Sequence, residues 1–129
     1  MRSGTGIAQV RGLGPARKGP KGWIVQRTTA FAQLFLLPWL LVSLLRMGPV
    51  THAAMLEWLA SPLNAVLLML LVVSVFVHLR LGLTELVEDY VHEEALKIAS
   101  LLIVNFYAIG GGALALFSIA RIALTGTPA

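Results

Sequence analysis

Three long apolar runs divide the chain. The first has its core from Phe31 to Leu45. The second runs from Leu63 to about Val87 and is almost wholly apolar as far as Val77. The third runs from about Leu96 to Ala120. At 1.5 Å per residue, about 20 helical residues cross a hydrocarbon layer of about 30 Å. The pattern therefore predicts an all-α membrane protein with three transmembrane helices over about 23–46, 63–87 and 96–120. Pro38 removes a backbone donor inside the first span and predicts a kink. Thr51 to Leu59 reads as a short interfacial helix with Trp58 at the headgroups. Ser61 fits an N-cap and Pro62 the first helical position of the second span. Glu88 to Lys97 reads as a polar turn. Gly110-Gly111-Gly112 would let another helix, or a cofactor edge, approach the third span closely.

Residues 1–22 are rich in Gly, Pro, Arg and Lys and show no apolar periodicity. They read as a flexible basic arm without the apolar core of a signal peptide. Residues 23–121 form the anchor and 122–129 a short tail. The 129 residues are 57% hydrophobic and 12% charged; a soluble domain averages about 25% charged. Cysteine is absent, which excludes disulfides and thiolate metal sites within the chain. The net charge of +4 is unevenly spread. Arg2, Arg11, Arg17, Lys18, Lys21, Arg27 and Arg46 all precede the first acid, Glu57. Beside a membrane helix such a run reads as topology, and no nucleic-acid partner is expected.

Candidate chemistry centres on one stretch, from Phe76 to His92. His78 falls where lipid should surround a helix, and an ionisable group at that depth usually faces protein and marks a site. One reading is a hydrogen bond to a neighbouring helix. The other is axial ligation of haem iron by a neutral imidazole nitrogen. No second histidine lies in another span, so a partner subunit or a second copy would complete a bis-histidine site. Gly82, Glu85 and Asp89 follow at i+4, i+7 and i+11, on the face of His78. Asp89 lies about 16 Å from it along the axis. Gly82 would leave room for a flat macrocycle. Tyr90 is either an interfacial belt residue or a hydrogen-bond donor to a quinone carbonyl. Glu88 and Asp89 would then relay protons or hold the tyrosine. Arg27 either marks topology or pairs with a haem propionate or quinone. Arg80 lies on the opposite side of its helix from His78, with its role open. His52 and His92 fall in loops.

His78, Gly82 and Asp89-Tyr90-Val91, with Arg27-Thr28-Thr29-Ala30 opening the first of three spans, resemble the hydrophobic membrane-anchor subunits of succinate dehydrogenase, respiratory complex II. The resemblance covers about residues 22–121. It implies a three-helix anchor packed against a second, cytochrome b anchor, beside a flavoprotein and an iron–sulfur subunit. It implies that His78 ligates the iron of haem b, shared with the partner anchor. It also implies that Tyr90 bonds ubiquinone, that Asp89 neighbours the quinone site, and that Arg27 lies near the propionates or the quinone pocket. On that reading the chain is no catalyst alone. It helps carry electrons from the iron–sulfur subunit to quinone, in a bacterial inner membrane in preference to a mitochondrial one. An anchor of fumarate reductase or another cytochrome b quinone oxidoreductase, and a non-redox assembly protein with a structural His78, are the alternatives.

Orientation follows from the charge pattern. The basic arm should stay inside, because the 47–62 connection holds no Lys or Arg and the tail only Arg121. Three spans then put the C-terminus outside. Reporter fusions at Met1 and Ala129 should report opposite sides of the membrane; both on one side would contradict three spans.

Overall fold

A computed structural model describes residues 18–126. Four helices make up nearly all of it: α1 Lys18–Met47, α2 His52–Ala60, α3 Pro62–Tyr90 and α4 Glu94–Thr125. Helices α1, α3 and α4 are long and apolar enough to cross a membrane. The expected arm, as far as residue 17, and the tail after residue 126 lie outside the described residues.

The helix ends follow local chemistry. Gly48 adopts φ 80° just after α1, a left-handed conformation that glycine takes without a Cβ penalty. The Thr51 hydroxyl caps α2 by accepting from Ala54 N–H at 3.2 Å. Pro62 opens α3, as expected, but the Ser61 side chain makes no capping bond. Instead the Asn64 amide donates to the Trp58 carbonyl at 3.0 Å, which satisfies an end carbonyl of α2 and ties the α2–α3 corner. The polar turn after α3 is shorter than its sequence suggests, because α3 continues to Tyr90 and α4 begins at Glu94. Glu93 makes the early start possible. Its carboxylate accepts from Ala95 N–H at 3.0 Å and Leu96 N–H at 2.7 Å, placing an anion where free amides and the helix dipole favour one. Gly126, at φ 68°, ends α4 and donates to the Ile122 carbonyl.

Helix α3 is the middle of the bundle. Helices α1 and α4 both pack along it, and α2 rests against α3 and α4. Buried Leu59, Ala65 and Ile119 join α2, α3 and α4 at one end, where Trp58 also stacks on Trp39 of α1 with ring centroids 5.6 Å apart. Most large apolar side chains face outward, including Phe35 at 72% and Phe106 at 75% exposure. Without water in the hydrocarbon layer, that exposure carries no hydrophobic cost, and contact between helices rests on close packing and internal hydrogen bonds.

The triple glycine serves such packing within the chain. The ring of Phe76 on α3 lies against Gly111 and Gly112. A Cβ on Gly111 would stand 2.9 Å from Phe76 Cε1, whereas one on Gly110 would meet nothing within 4 Å. Gly111→Leu should therefore destabilise the bundle, by about 1–3 kcal/mol as overpacking does. Adding Phe76→Ala should recover part of that loss, because the two changes act on one contact. Denaturation of the purified protein in detergent measures both; strictly additive effects would contradict the contact.

Candidate functional site

Among the described residues, the buried polar side chains, Thr29 and Ser74, both lie in the seam between α1 and α3. Gln33 Nε2 donates to the Ser74 carbonyl at 3.2 Å. Thr29 Oγ1 lies 3.1 Å from His78 Nδ1. Gln26 Nε2 reaches Glu85 Oε2 at 3.5 Å. On α1 these positions are spaced three and four apart, so they line one face of the helix. On α3 the partners run the other way, from Ser74 to Glu85, so the two helices are antiparallel and held in register by polar contacts. The Ser74 hydroxyl turns back to the Leu71 carbonyl at 3.1 Å and leaves none of its bonding capacity exposed, being 5% accessible.

His78 sits in this seam, half-buried. Its ring, with Gln26, Arg27 and Ala30, lines a cleft of about 160 Å³ open at the bundle surface. Arg27, Ala30, Phe31 and Leu34 line a second, more apolar cleft, so Arg27 and Ala30 border both. Arg27 stacks over Trp23, its Cζ 5.5 Å from the ring centroid, within the range of a cation–π contact. That contact ties the guanidinium to Trp23, one turn earlier on the helix that lines the cleft. A cationic fork beside an imidazole, with apolar side chains continuing along α1, suits a flat ligand with acidic edges. Arg27 and His78 thus line one cleft within this chain. A Cβ on Gly82 would meet nothing within 4 Å, so the chain leaves open space at that position, one turn beyond His78.

Asp89 and Tyr90 lie elsewhere. They end α3, about 16 and 18 Å along its axis from His78. Both are exposed, Tyr90 at 76%. Among the described residues neither makes a hydrogen bond with Arg27 or His78. Within this chain, then, the candidate residues fall in two places: the His78 cleft, and the exposed end of α3.

Arg80 makes a contact within the chain. Its Nε donates to Asn105 Oδ1 on α4 at 2.6 Å. The Asn105 amide in turn donates to the Leu101 carbonyl at 2.8 Å, which turns its oxygen towards the guanidinium. Arg80 borders a mainly apolar groove of about 300 Å³ between α3 and α4. Asn105, Thr29 and Gln33 were not singled out from the sequence for contacts of their own. The available signal was polar side chains within apolar spans, with Thr29 and Gln33 one helical turn apart.

Among the described residues no three His, Cys, Asp or Glu side chains converge as a metal cage. A haem asks for none: its iron is held by the porphyrin, and one chain need give only an axial nitrogen. A half-buried imidazole beside a guanidinium fits that need.

The profile of the succinate dehydrogenase/fumarate reductase transmembrane subunit family matches residues 1–112. The chain is similar to the succinate dehydrogenase hydrophobic membrane anchor subunit of Rickettsia conorii, with 29% identity over 104 residues, 80% of this chain and 82% of that one. Its counterpart in Rickettsia bellii is 27% identical over the same shares of the two chains. No solved structure matches.

Proposed function

We propose that this chain, which belongs to the succinate dehydrogenase/fumarate reductase transmembrane subunit family, anchors a succinate:ubiquinone oxidoreductase in a bacterial inner membrane. In this role it binds haem b and contributes to the quinone site. The observation that supports the reading is the His78 cleft: an imidazole between helices of a membrane bundle, with Arg27 in the same lining. The names of the two Rickettsia relatives favour the succinate-oxidising direction over fumarate reduction.

His78 would hold the haem iron from this chain, and a partner anchor would supply a second ligand. Arg27 would pair with a propionate or orient a quinone, its charge stabilising an acidic edge that lipid would not. When bound, haem b supplies one-electron exchange. Tyr90 would donate its phenolic proton in a hydrogen bond to a quinone carbonyl at the end of α3, which is open on this chain to a partner subunit and to the quinone. Asp89 and Glu88 beside it would accept or pass protons from the aqueous side. With the basic arm inside, this end of α3 faces the cytoplasm, the side from which the iron–sulfur subunit delivers electrons. Flavin chemistry and succinate oxidation belong to the flavoprotein subunit. This chain positions the exit of the electrons.

Two substitutions separate the roles. His78→Leu keeps the span apolar and removes the nitrogen. The reduced-minus-oxidised spectrum of the complex should then lose or change its haem b bands, and an unchanged spectrum would rule out His78 as the ligand. Tyr90→Phe keeps the ring and removes only the hydroxyl. Losing a hydrogen bond of about 1.5–3 kcal/mol in the transition state would slow quinone reduction about ten- to hundred-fold. Succinate oxidation with a soluble artificial acceptor should persist. Normal quinone turnover and affinity in that variant would sink the quinone role of Tyr90.

A further inference from the structure

We propose that Thr29 is a positioning residue for the haem ligand: its hydroxyl oxygen accepts a hydrogen bond from His78 Nδ1–H, which fixes the imidazole in the tautomer whose Nε2 lone pair is free for iron. The proposal rests on the reading of His78 as a ligand and adds to it which nitrogen binds and what holds the ring.

The direction of the bond follows from the surroundings of one oxygen atom. Thr29 Oγ1 lies 2.9 Å from the Val25 carbonyl and 2.9 Å from the Gln26 carbonyl. Those oxygens can only accept, so the single hydroxyl proton is directed to them, shared across the i−4 and i−3 positions of the helix. If the proton were turned to His78 instead, the Thr29 oxygen would face two carbonyl oxygens at hydrogen-bond distance with no proton between them. With the proton on the carbonyls, a lone pair of Oγ1 faces His78 Nδ1 at 3.1 Å. It needs a donor there, and Nδ1–H is that donor. A neutral imidazole with its proton on Nδ1 has an unprotonated Nε2. Among the described residues no other group bonds the His78 ring.

Burial makes the choice persistent. Thr29 is 8% exposed, so water has little access to replace either partner. Thr28, one position earlier, is exposed on another face of α1 and cannot substitute. The chain of bonds from imidazole to hydroxyl to backbone carbonyl also polarises each member. That raises the electron density on Nε2, as hydrogen-bond acceptors behind metal-bound histidines do. A more basic ligand favours ferric over ferrous iron, so Thr29 should lower the haem midpoint potential as well as orient the ring.

The test uses the intact purified complex with Thr29→Val, which keeps the β-branch and removes the hydroxyl, and Thr29→Ser, which keeps the hydroxyl. The readouts are the haem midpoint potential, the low-temperature electron paramagnetic resonance spectrum of the ferric haem, and haem transfer to apomyoglobin. In the valine complex the potential should rise, the ferric signal should shift, and haem affinity should fall about ten- to hundred-fold, as when other outer partners of metal-bound histidines are removed. The serine complex should match the unsubstituted one. If the valine chain fails to assemble, Thr29→Ala removes the same hydroxyl without adding a methyl group against the ring, with the same outcomes expected. A hydroxyl-free variant with unchanged potential, spectrum and affinity would overturn the proposal, as would a serine variant altered as much as valine. His78→Leu, measured alongside, separates the two claims. Loss of the haem signal there with an unchanged Thr29→Val complex removes Thr29 alone. An unchanged His78→Leu spectrum removes the ligand reading and the proposal together.

Discussion

Inside a hydrocarbon layer no water completes a hydrogen bond, so each polar group must find its partner in protein. The α1–α3 seam depends on that constraint. Gln33 meets the Ser74 carbonyl, Thr29 meets His78, and Gln26 meets Glu85. Sliding α1 by one turn would leave these groups facing lipid. The same contacts that set the register of two helices therefore place an imidazole beside Arg27 at a cleft. Structure and candidate chemistry share one set of atoms here. An imidazole can be kept inside a membrane bundle at less cost when one of its nitrogens makes a helix contact, as His78 Nδ1 does with Thr29.

The α3–α4 side meets the same constraint differently. Arg80 is bonded to Asn105, and the adjoining contact is tightened by Phe76 against Gly111 and Gly112. One side of α3 thus supports the bundle through shape and an exposed polar pair, and the other presents the candidate ligand. The separation agrees with the rotation between positions 78 and 80 along a helix, about 200°.

Spans, the short α2 and the position of Pro62 were legible because apolar run length and turn residues are local signals. The shared face of His78, Gly82, Glu85 and Asp89 was legible from helical spacing alone. The partners were not. Sequence gives the angle at which Arg80 leaves α3, but not that Asn105 on α4 stands opposite, because the rotation of α4 is set by packing. It marks three glycines as a close approach, but not that Phe76 fills the space. It carries Thr29 beside Arg27 without revealing the 3.1 Å contact to His78, which exists only once α1 and α3 are antiparallel and in register. The early start of α4 was missed for a local reason: Glu93 reads as one more charge in a polar turn, while its carboxylate acts as a cap.

On the reading proposed above, the α1–α3 cleft meets a haem edge, with His78 giving Nε2 to iron and Nδ1 to Thr29. A density map of the intact complex, at a resolution that orients the imidazole, tests it most directly. Haem density should lie against Arg27 and Ala30, with the iron within bonding distance of His78 Nε2 and Nδ1 facing the Thr29 hydroxyl. Haem density away from this cleft, or iron on the Nδ1 side of the ring, would contradict it.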